Sequence, residues 1–114
     1  MVGHSYMARD TLGTFEYQIL SVLLRQPCDA YGATIQERIE DTTGRDVSIG
    51  ALYTSLDRLE RKGLVSSWWG EPTAERGGRR KRYYKIEASG VEAVRRTEAM
   101  HARFGGGLLA SQVI

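Results

Sequence analysis

The stretch "SIGALYTSLDRLERKGLVSSWWGEPTAERGGRRKRYYKI", residues 48–86, decides the fold, because a helix pattern, a turn and two strand patterns follow one another in it. Ser48 is a good N-cap and Gly63 a good closing residue, so a helix is predicted from Ser48 to about Lys62. Its buried stripe consists of leucines at helical spacing, Leu52, Leu56 and Leu59.

Two strand patterns flank a loop in the second half of this stretch. Leu64 to Trp69 is rich in apolar and aromatic residues, and Arg82 to Ile86 is a second such run. Residues 70–81 contain glycines and a proline, which favour a loop. The sequence therefore predicts a β-hairpin with a long, basic tip.

Three more helices surround this unit. The first is predicted to start near Thr14, whose hydroxyl can cap it, and to stop before Pro27. The second is predicted from about Ala30 to Thr43 with Asp29 as its cap, and the last from about Ala88 to Phe104.

The order helix, helix, helix, strand, loop, strand, helix predicts an α+β fold, mainly α with a small β-hairpin. This is a winged helix-turn-helix over residues 11–87, followed by a C-terminal dimerisation helix over residues 88–105. Residues 1–10 are predicted to form a flexible N-terminal segment, and residues 106–114 a short apolar tail.

The net charge of +2 hides a strong local asymmetry. Residues 1–75 hold 7 basic and 11 acidic residues, whereas residues 76–85 hold 6 basic and no acidic ones. A positive patch on a slightly acidic body indicates one anionic partner surface rather than general adhesion.

Other classes of protein find little support. There is no P-loop, dinucleotide fingerprint or nucleophile-elbow motif, and no apolar run long enough to span a membrane, so neither an enzyme nor a membrane protein is expected. His4, His101 and Cys28 lack metal-ligand spacing, so neither a metal nor another cofactor is expected. The single cysteine and the absence of a secretory signal favour a cytoplasmic location.

The predicted arrangement suits DNA. A helix fits the major groove, where its exposed side chains meet base edges, and arginines on the wing pair with phosphate oxygens. Each of these residues also has an interpretation without a role in DNA binding. The basic run could be a solvated charge cluster, and Tyr31 could be a half-buried packing residue. The candidate DNA-binding residues are Tyr31, Thr34, Ser48, Gly50, Tyr53, Thr54, Arg58, Arg76, Arg79, Arg80, Lys81 and Arg82.

The last helix carries an apolar seam for which a small domain offers no obvious internal partner, so the seam is predicted to pack against a second copy. The candidate dimer-interface residues are Val91, Val94, Thr97, His101 and Phe104. Trp68 and Trp69 are expected to split between core and surface, as are Tyr83 and Tyr84, because adjacent strand residues face opposite ways. A pocket between protomers that binds a planar effector is an open alternative to plain packing of the tryptophans.

Residues 12–104 resemble the PadR family of transcriptional regulators. The resemblance is strongest at Tyr31-Gly32, at "GALYTSLDRLERKGLV" (50–65) and at "RYYKIEASG" (82–90), and "GEPTAERGGRRKRYY" (70–84) is similar to one subgroup. It implies a homodimeric winged-helix repressor with a single C-terminal dimerisation helix. Thr54 stands where many members carry proline, and Glu87 where threonine is usual.

The hypothesis is therefore a homodimeric, cytoplasmic, sequence-specific DNA-binding repressor. An alternative from another class is a winged helix that binds an acidic protein partner through the basic hairpin. RNA binding is a third option, which the lack of an evident aromatic stacking platform disfavours.

Overall fold

The computed structural model describes residues 11–72 and 80–105, which form helices and one antiparallel hairpin in the predicted order. The elements are α1 (Thr14–Arg25), α2 (Gly32–Thr43), α3 (Ile49–Arg61), β1 (Val65–Trp69), β2 (Arg82–Ile86) and α4 (Ala88–Gly105). The α+β winged-helix prediction is confirmed. The predictions for segment 1–10, for Arg76 and Arg79, and for tail 106–114 lie outside the described residues.

The helix α1 starts at Thr14 as predicted, but Thr14 is not its cap. Gly13, not Thr14, is the N-cap residue, and its backbone N–H donates to the Glu16 carboxylate at 3.3 Å. The carboxylate thus satisfies an N–H at the positive end of the helix dipole, which stabilises the first turn. The capping role predicted for the Thr14 hydroxyl was wrong by one residue.

The start of α2 is later than predicted, at Gly32 instead of about Ala30. The reason is tertiary: the Tyr84 backbone N–H donates to the Ala30 carbonyl at 2.9 Å, and Tyr31 pairs with Tyr83 as an isolated antiparallel bridge. The backbone before α2 therefore serves as a short third strand alongside β2. Asp29, predicted as the cap, instead turns the chain at φ 63°.

The core forms where the helices meet the inner face of the hairpin. Leu52, Leu56 and Leu59 of α3 are fully buried, which confirms the predicted stripe. Tyr84 is 1% exposed while Tyr83 is only half-buried, so the predicted split of this pair is also confirmed. None of the helices among the described residues is long and apolar enough to cross a membrane.

The α4 helix packs on α1 of the same chain. Thr97 is fully buried, and its Oγ1 accepts the Leu12 backbone N–H at 3.0 Å and donates to the Ala93 carbonyl at 2.8 Å. Val94 is 5% exposed. The expectation that Val94 and Thr97 lack an internal partner was wrong, because the apolar stripe of α1 covers this part of the helix.

A side-chain hydrogen bond joins the same two helices near the surface. The Tyr17 hydroxyl donates to the Glu98 carboxylate at 2.7 Å. This bond raises the pKa of Tyr17, because ionisation would break it and place a second negative charge beside Glu98. Burial likewise raises the pKa of Tyr84, so the phenol in the core stays neutral.

Gly90 lets the first turn of α4 approach the hairpin. A Cβ on Gly90 would lie 2.4 Å from the Leu64 carbonyl oxygen and 2.6 Å from an Ile86 side-chain carbon. The Leu64 carbonyl also accepts the Glu87 backbone N–H at 2.9 Å, so it is not free to move aside. The glycine is required here by close packing rather than by its backbone angles.

Gly90→Ala should therefore lower the free energy of unfolding by about 1–3 kcal/mol, the usual cost of overpacking a rigid contact. Thermal and denaturant unfolding measure this change. Gly50→Ala on α3 is the matched control, since its Cβ would meet only Ser48 Oγ at 3.7 Å and alanine is the better helix former. Equal stability of the two variants would contradict the packing role of Gly90.

Candidate nucleic-acid interface

The face of α3 opposite its leucine stripe is exposed. Ser48 caps the helix as predicted, its Oγ accepting the Ala51 backbone N–H at 3.2 Å. The residues of this face include Gly50, Tyr53, Thr54, Asp57, Arg58 and Arg61. It combines a small residue, hydroxyls and charges, which are side chains that can reach base edges and phosphates.

The turn between α2 and α3 is held by side chains of α2. The Gln36 amide donates to the Val47 carbonyl at 2.7 Å, and the Glu40 carboxylate accepts the Val47 backbone N–H at 2.8 Å. Gly44 closes α2 at φ 74°. These bonds set the angle at which α3 leaves the turn, so the exposed face of α3 has a defined direction relative to α2.

Tyr53 packs across the start of α2. A Cβ on Gly32 would lie 2.2 Å from the Tyr53 hydroxyl oxygen, so the glycine makes room for this ring. Tyr53 remains 40% exposed. Gly32 and Tyr53 therefore form one packing unit, although they lie far apart in sequence.

Two of the predicted contacts at the start of α2 have structural roles. Tyr31 is the N-cap residue of α2, and its ring meets the Tyr83 ring edge-on at 5.6 Å between centroids. The Thr34 hydroxyl accepts the Tyr31 backbone N–H at 3.0 Å and lies 2.9 Å from the Tyr31 carbonyl. Because this hydroxyl completes the cap, it is less available to a ligand than the sequence suggested.

The base of the wing is described up to Glu71 and Pro72 on one side and from Arg80 on the other. The Gly70 backbone N–H donates to the Lys81 carbonyl at 2.7 Å, and Arg80 Nε donates to the Gly70 carbonyl at 3.1 Å. The Lys81 ammonium lies 5.2 Å from the centre of the Tyr31 ring. Arg80 and Lys81 thus carry their charge at the edge of the hairpin nearest to α2.

Arg82 differs from Arg80 and Lys81, because it has a carboxylate partner within the chain. Its Nε donates to Ser67 Oγ at 3.0 Å, and its guanidinium lies 3.3 Å from the Glu60 carboxylate. The guanidinium also lies 5.4 Å from the centre of the Trp69 ring. Glu60 of α3 therefore pairs with Arg82, the arginine that the sequence predicted to contact phosphate.

The expectation that one of the adjacent tryptophans enters the core was wrong. Trp68 and Trp69 are 44% and 54% exposed. Trp68 stacks on Tyr83 with 5.8 Å between centroids, while Trp69 lies beside Arg82 on the other face. Both lie at the end of β1 next to the wing.

A groove of about 530 Å³ lies between α3 and the wing. It is lined by Tyr31, Tyr53, Asp57, Trp69, Arg80, Lys81, Arg82 and Tyr84. Five predicted DNA-binding residues thus meet at one site, while Gly50, Thr54 and Arg58 lie outside the groove on the exposed face of α3. Asp57, Trp69 and Tyr84 were not among the predicted site residues, and the only signal for Trp69 was its position beside the basic loop.

No group of three histidine, cysteine or acidic side chains in the described ranges is arranged to hold a metal ion. The described cysteine, Cys28, is exposed. The groove and α3 present cations, hydroxyls and aromatic rings, together with the Asp57 carboxylate.

The model of the PadR-like family of transcriptional regulators matches residues 19–96. Solved structures with the same fold include a PadR-like transcription factor from Bacteroides fragilis, 23% identical over 99% of this chain and 98% of that one, with a TM-score of 0.68. A PadR family regulator from Eggerthella lenta is 26% identical over 94% and 86%, with a TM-score of 0.67. RosR of H. salinarum is 32% identical over 87% and 82%, with a TM-score of 0.63. No curated protein matches the chain.

The contact between Glu60 and Arg82 leads to a prediction about binding to duplex DNA. The Ser67 hydroxyl donates to the Glu60 carboxylate at 2.9 Å. Glu60→Gln keeps an oxygen that can accept this bond but removes the charge that holds Arg82. It should strengthen binding to a random-sequence duplex at low salt by about two- to fivefold, the size of one partly screened charge. Fluorescence anisotropy of a labelled duplex measures the change.

Glu92→Gln on α4 is the matched control, because it makes the same change of charge at an exposed position paired with Arg95, away from the wing. It should leave binding unchanged. If Glu60→Gln instead weakened binding, the carboxylate would orient Arg82 for phosphate rather than compete with it.

Proposed function

The chain belongs to the PadR-like family of transcriptional regulators, and we propose that it is a homodimeric repressor that inserts α3 into the major groove and lays its wing, residues 70–82, on the flanking phosphates. The observation that carries the proposal is the groove between α3 and the wing, where Tyr53, Arg80 and Lys81 meet. It acts in the cytoplasm on a roughly palindromic operator, with half-sites one helical turn or a multiple of it apart.

The roles of the residues follow from what they contact within the chain. Gly50, Thr54 and Arg58 are exposed on α3, so they meet base edges. Arg80 and Lys81 have no carboxylate partner in the described part of the chain, so their charge is available to phosphate. Arg76 and Arg79 extend the same basic run along the wing. Ser48, Tyr31 and Thr34 hold the starts of the two helices, and their contact with DNA is secondary.

Gly50 carries a specific part of the proposal. A side chain at this position would meet only Ser48 Oγ at 3.7 Å, so packing inside the chain does not require glycine. A missing Cβ on the exposed first turn of α3 lets the helix come closer to the DNA. The glycine is thus explained by the partner rather than by the fold.

The competing proposal, an acidic protein partner for the wing, uses the same positive charge and makes a different prediction for DNA. A DNA-binding wing gives measurable, salt-sensitive affinity for random duplex DNA at low salt, because phosphate contacts release counterions. A wing that recognises only an acidic protein gives none. The family assignment favours DNA.

Arg80→Ala combined with Lys81→Ala should weaken binding to every duplex sequence. The slope of log affinity against log salt should become shallower by about 0.9 for each phosphate that the wing no longer neutralises. Both side chains lie outside the core, so the thermal midpoint should change little. Arg95→Ala, which removes an exposed arginine from α4, is the control and should keep the slope.

An unchanged salt slope in the double variant would overturn the role of these two wing residues. The contribution of α3 would then be measured separately with Gly50→Ala. This variant should remain stable, because a Cβ at position 50 would meet only Ser48 Oγ at 3.7 Å.

The dimer is proposed to form through the distal part of α4. Phe104 is 74% exposed and His101 is exposed, whereas Val91 is half-buried. Val94 and Thr97 are no longer assigned to the interface, since α1 already covers them. A phenylalanine exposed to this degree on one side of a projecting helix is the kind of side chain that a partner buries.

Phe104→Asp should shift the protein from dimer to monomer and raise the dimer dissociation constant by at least about tenfold, because a charge would enter an apolar contact. Sedimentation velocity measures the shift. Ala99→Asp introduces the same charge at an exposed position about 200° around the helix from His101, and should leave the dimer intact. A dimer unaffected by Phe104→Asp would move the interface to another surface.

A further inference from the structure

A second groove, of about 370 Å³, lies between α1 and the C-terminal half of α2 and has no residue in common with the proposed DNA surface. It is lined by Tyr17, Gln18, Ser21, Val22 and Arg25 from α1 and by Arg38, Ile39, Thr42 and Thr43 from α2. Its volume falls within the range of small-molecule sites, which runs from about 300 to 1,000 Å³.

The floor of the groove is apolar and its rim is cationic. Val22 and Ile39 are 7% and 2% exposed and form the floor. Arg25 and Arg38 are exposed on opposite walls, and neither forms an ion pair with another described residue. No acidic side chain lines the groove.

Three of the four hydroxyls that line the groove, those of Tyr17, Ser21 and Thr43, are already engaged as donors. Tyr17 donates to Glu98, which lies beyond the rim on α4, at 2.7 Å. Ser21 donates to the Tyr17 carbonyl at 2.7 Å, and Thr43 to the Ile39 carbonyl at 2.8 Å. The Thr42 hydroxyl and the Gln18 amide remain as neutral donors, whereas the two guanidiniums are the charged ones and select a negative group.

An adjoining depression extends the groove along α1. It shares Gln18, Ile39 and Thr43 with the groove and reaches the turn before α3, where Asp46 lines it. The two ends thus differ in charge: arginines at one end, and a carboxylate together with Arg45 at the other. An elongated ligand would place its acidic group at the Arg25–Arg38 end and its apolar body along Ile39.

From these contacts we propose that the groove between α1 and α2 binds a small amphiphilic organic anion, with one acidic group held by Arg25 and Arg38 and an apolar body on Val22 and Ile39. The site is formed by a single chain and does not require DNA binding or dimerisation. The ligand class follows from the two arginines and the apolar floor together. The arginines alone would select any small anion, and the floor alone would select a neutral apolar molecule.

The test uses anilinonaphthalene sulfonate as the anionic probe and N-phenylnaphthylamine, which has the same aromatic body without the acidic group, as the neutral one. The full-length protein should bind the anionic probe saturably at one site per chain. Arg25→Gln combined with Arg38→Gln should weaken that binding about tenfold, the effect of losing two charge-assisted contacts at a partly exposed site. Binding of the neutral probe should stay the same.

Two further variants locate the site. Thr42→Phe places a ring in the groove and should weaken binding of both probes, whereas Arg95→Gln, an exposed arginine on α4, should affect neither. Amide chemical shifts of the wild-type protein should change at Ser21, Val22 and Ile39 when the anionic probe is added, and this measurement does not depend on how the variants fold. Unsaturable binding, unchanged affinity in the double arginine variant, or shifts confined to other elements would each overturn the proposal.

Discussion

The hydrogen bond from the Tyr84 backbone N–H to the Ala30 carbonyl joins the two halves of the fold. It places β2 alongside the residues before α2, buries the Tyr84 ring in the core, and delays the start of α2 until Gly32. This bond and the buried ring attach β2, at the base of the hairpin, to the helix-turn-helix. The groove between α3 and the wing exists because the hairpin is anchored here.

Charge is distributed around that groove in a way that composition alone conceals. Arg80 and Lys81 have no acidic partner among the described residues, but Arg82 faces Glu60, and Asp57 lines the same groove. Carboxylates on α3 therefore reduce the positive potential on the α3 side of the site and leave it concentrated at Arg80 and Lys81. In the proposed complex this arrangement lowers the electrostatic part of the affinity for DNA, which does not depend on sequence.

The α4 helix shows that an amphipathic sequence pattern does not indicate which surface its apolar face packs against. Its seam could be recognised from spacing, yet the first half of that seam packs on α1 of the same chain, and only the part near Phe104 stays exposed. Burial of Thr97 depends on a hydrogen bond from Leu12, 85 residues earlier. Nothing in the local sequence of α4 indicates the presence of that N–H.

The sequence by itself determined the order of elements, the leucine stripe and cap of α3, the position of the hairpin and the concentration of positive charge on it. These features are local: spacing, capping residues and charge counts express them within a few turns of chain. Only the tertiary structure decided that Tyr53 needs Gly32, that Arg82 is held by Glu60, and that both tryptophans remain exposed. Each of these depends on a distance between residues far apart in sequence, and periodicity carries no information about such distances.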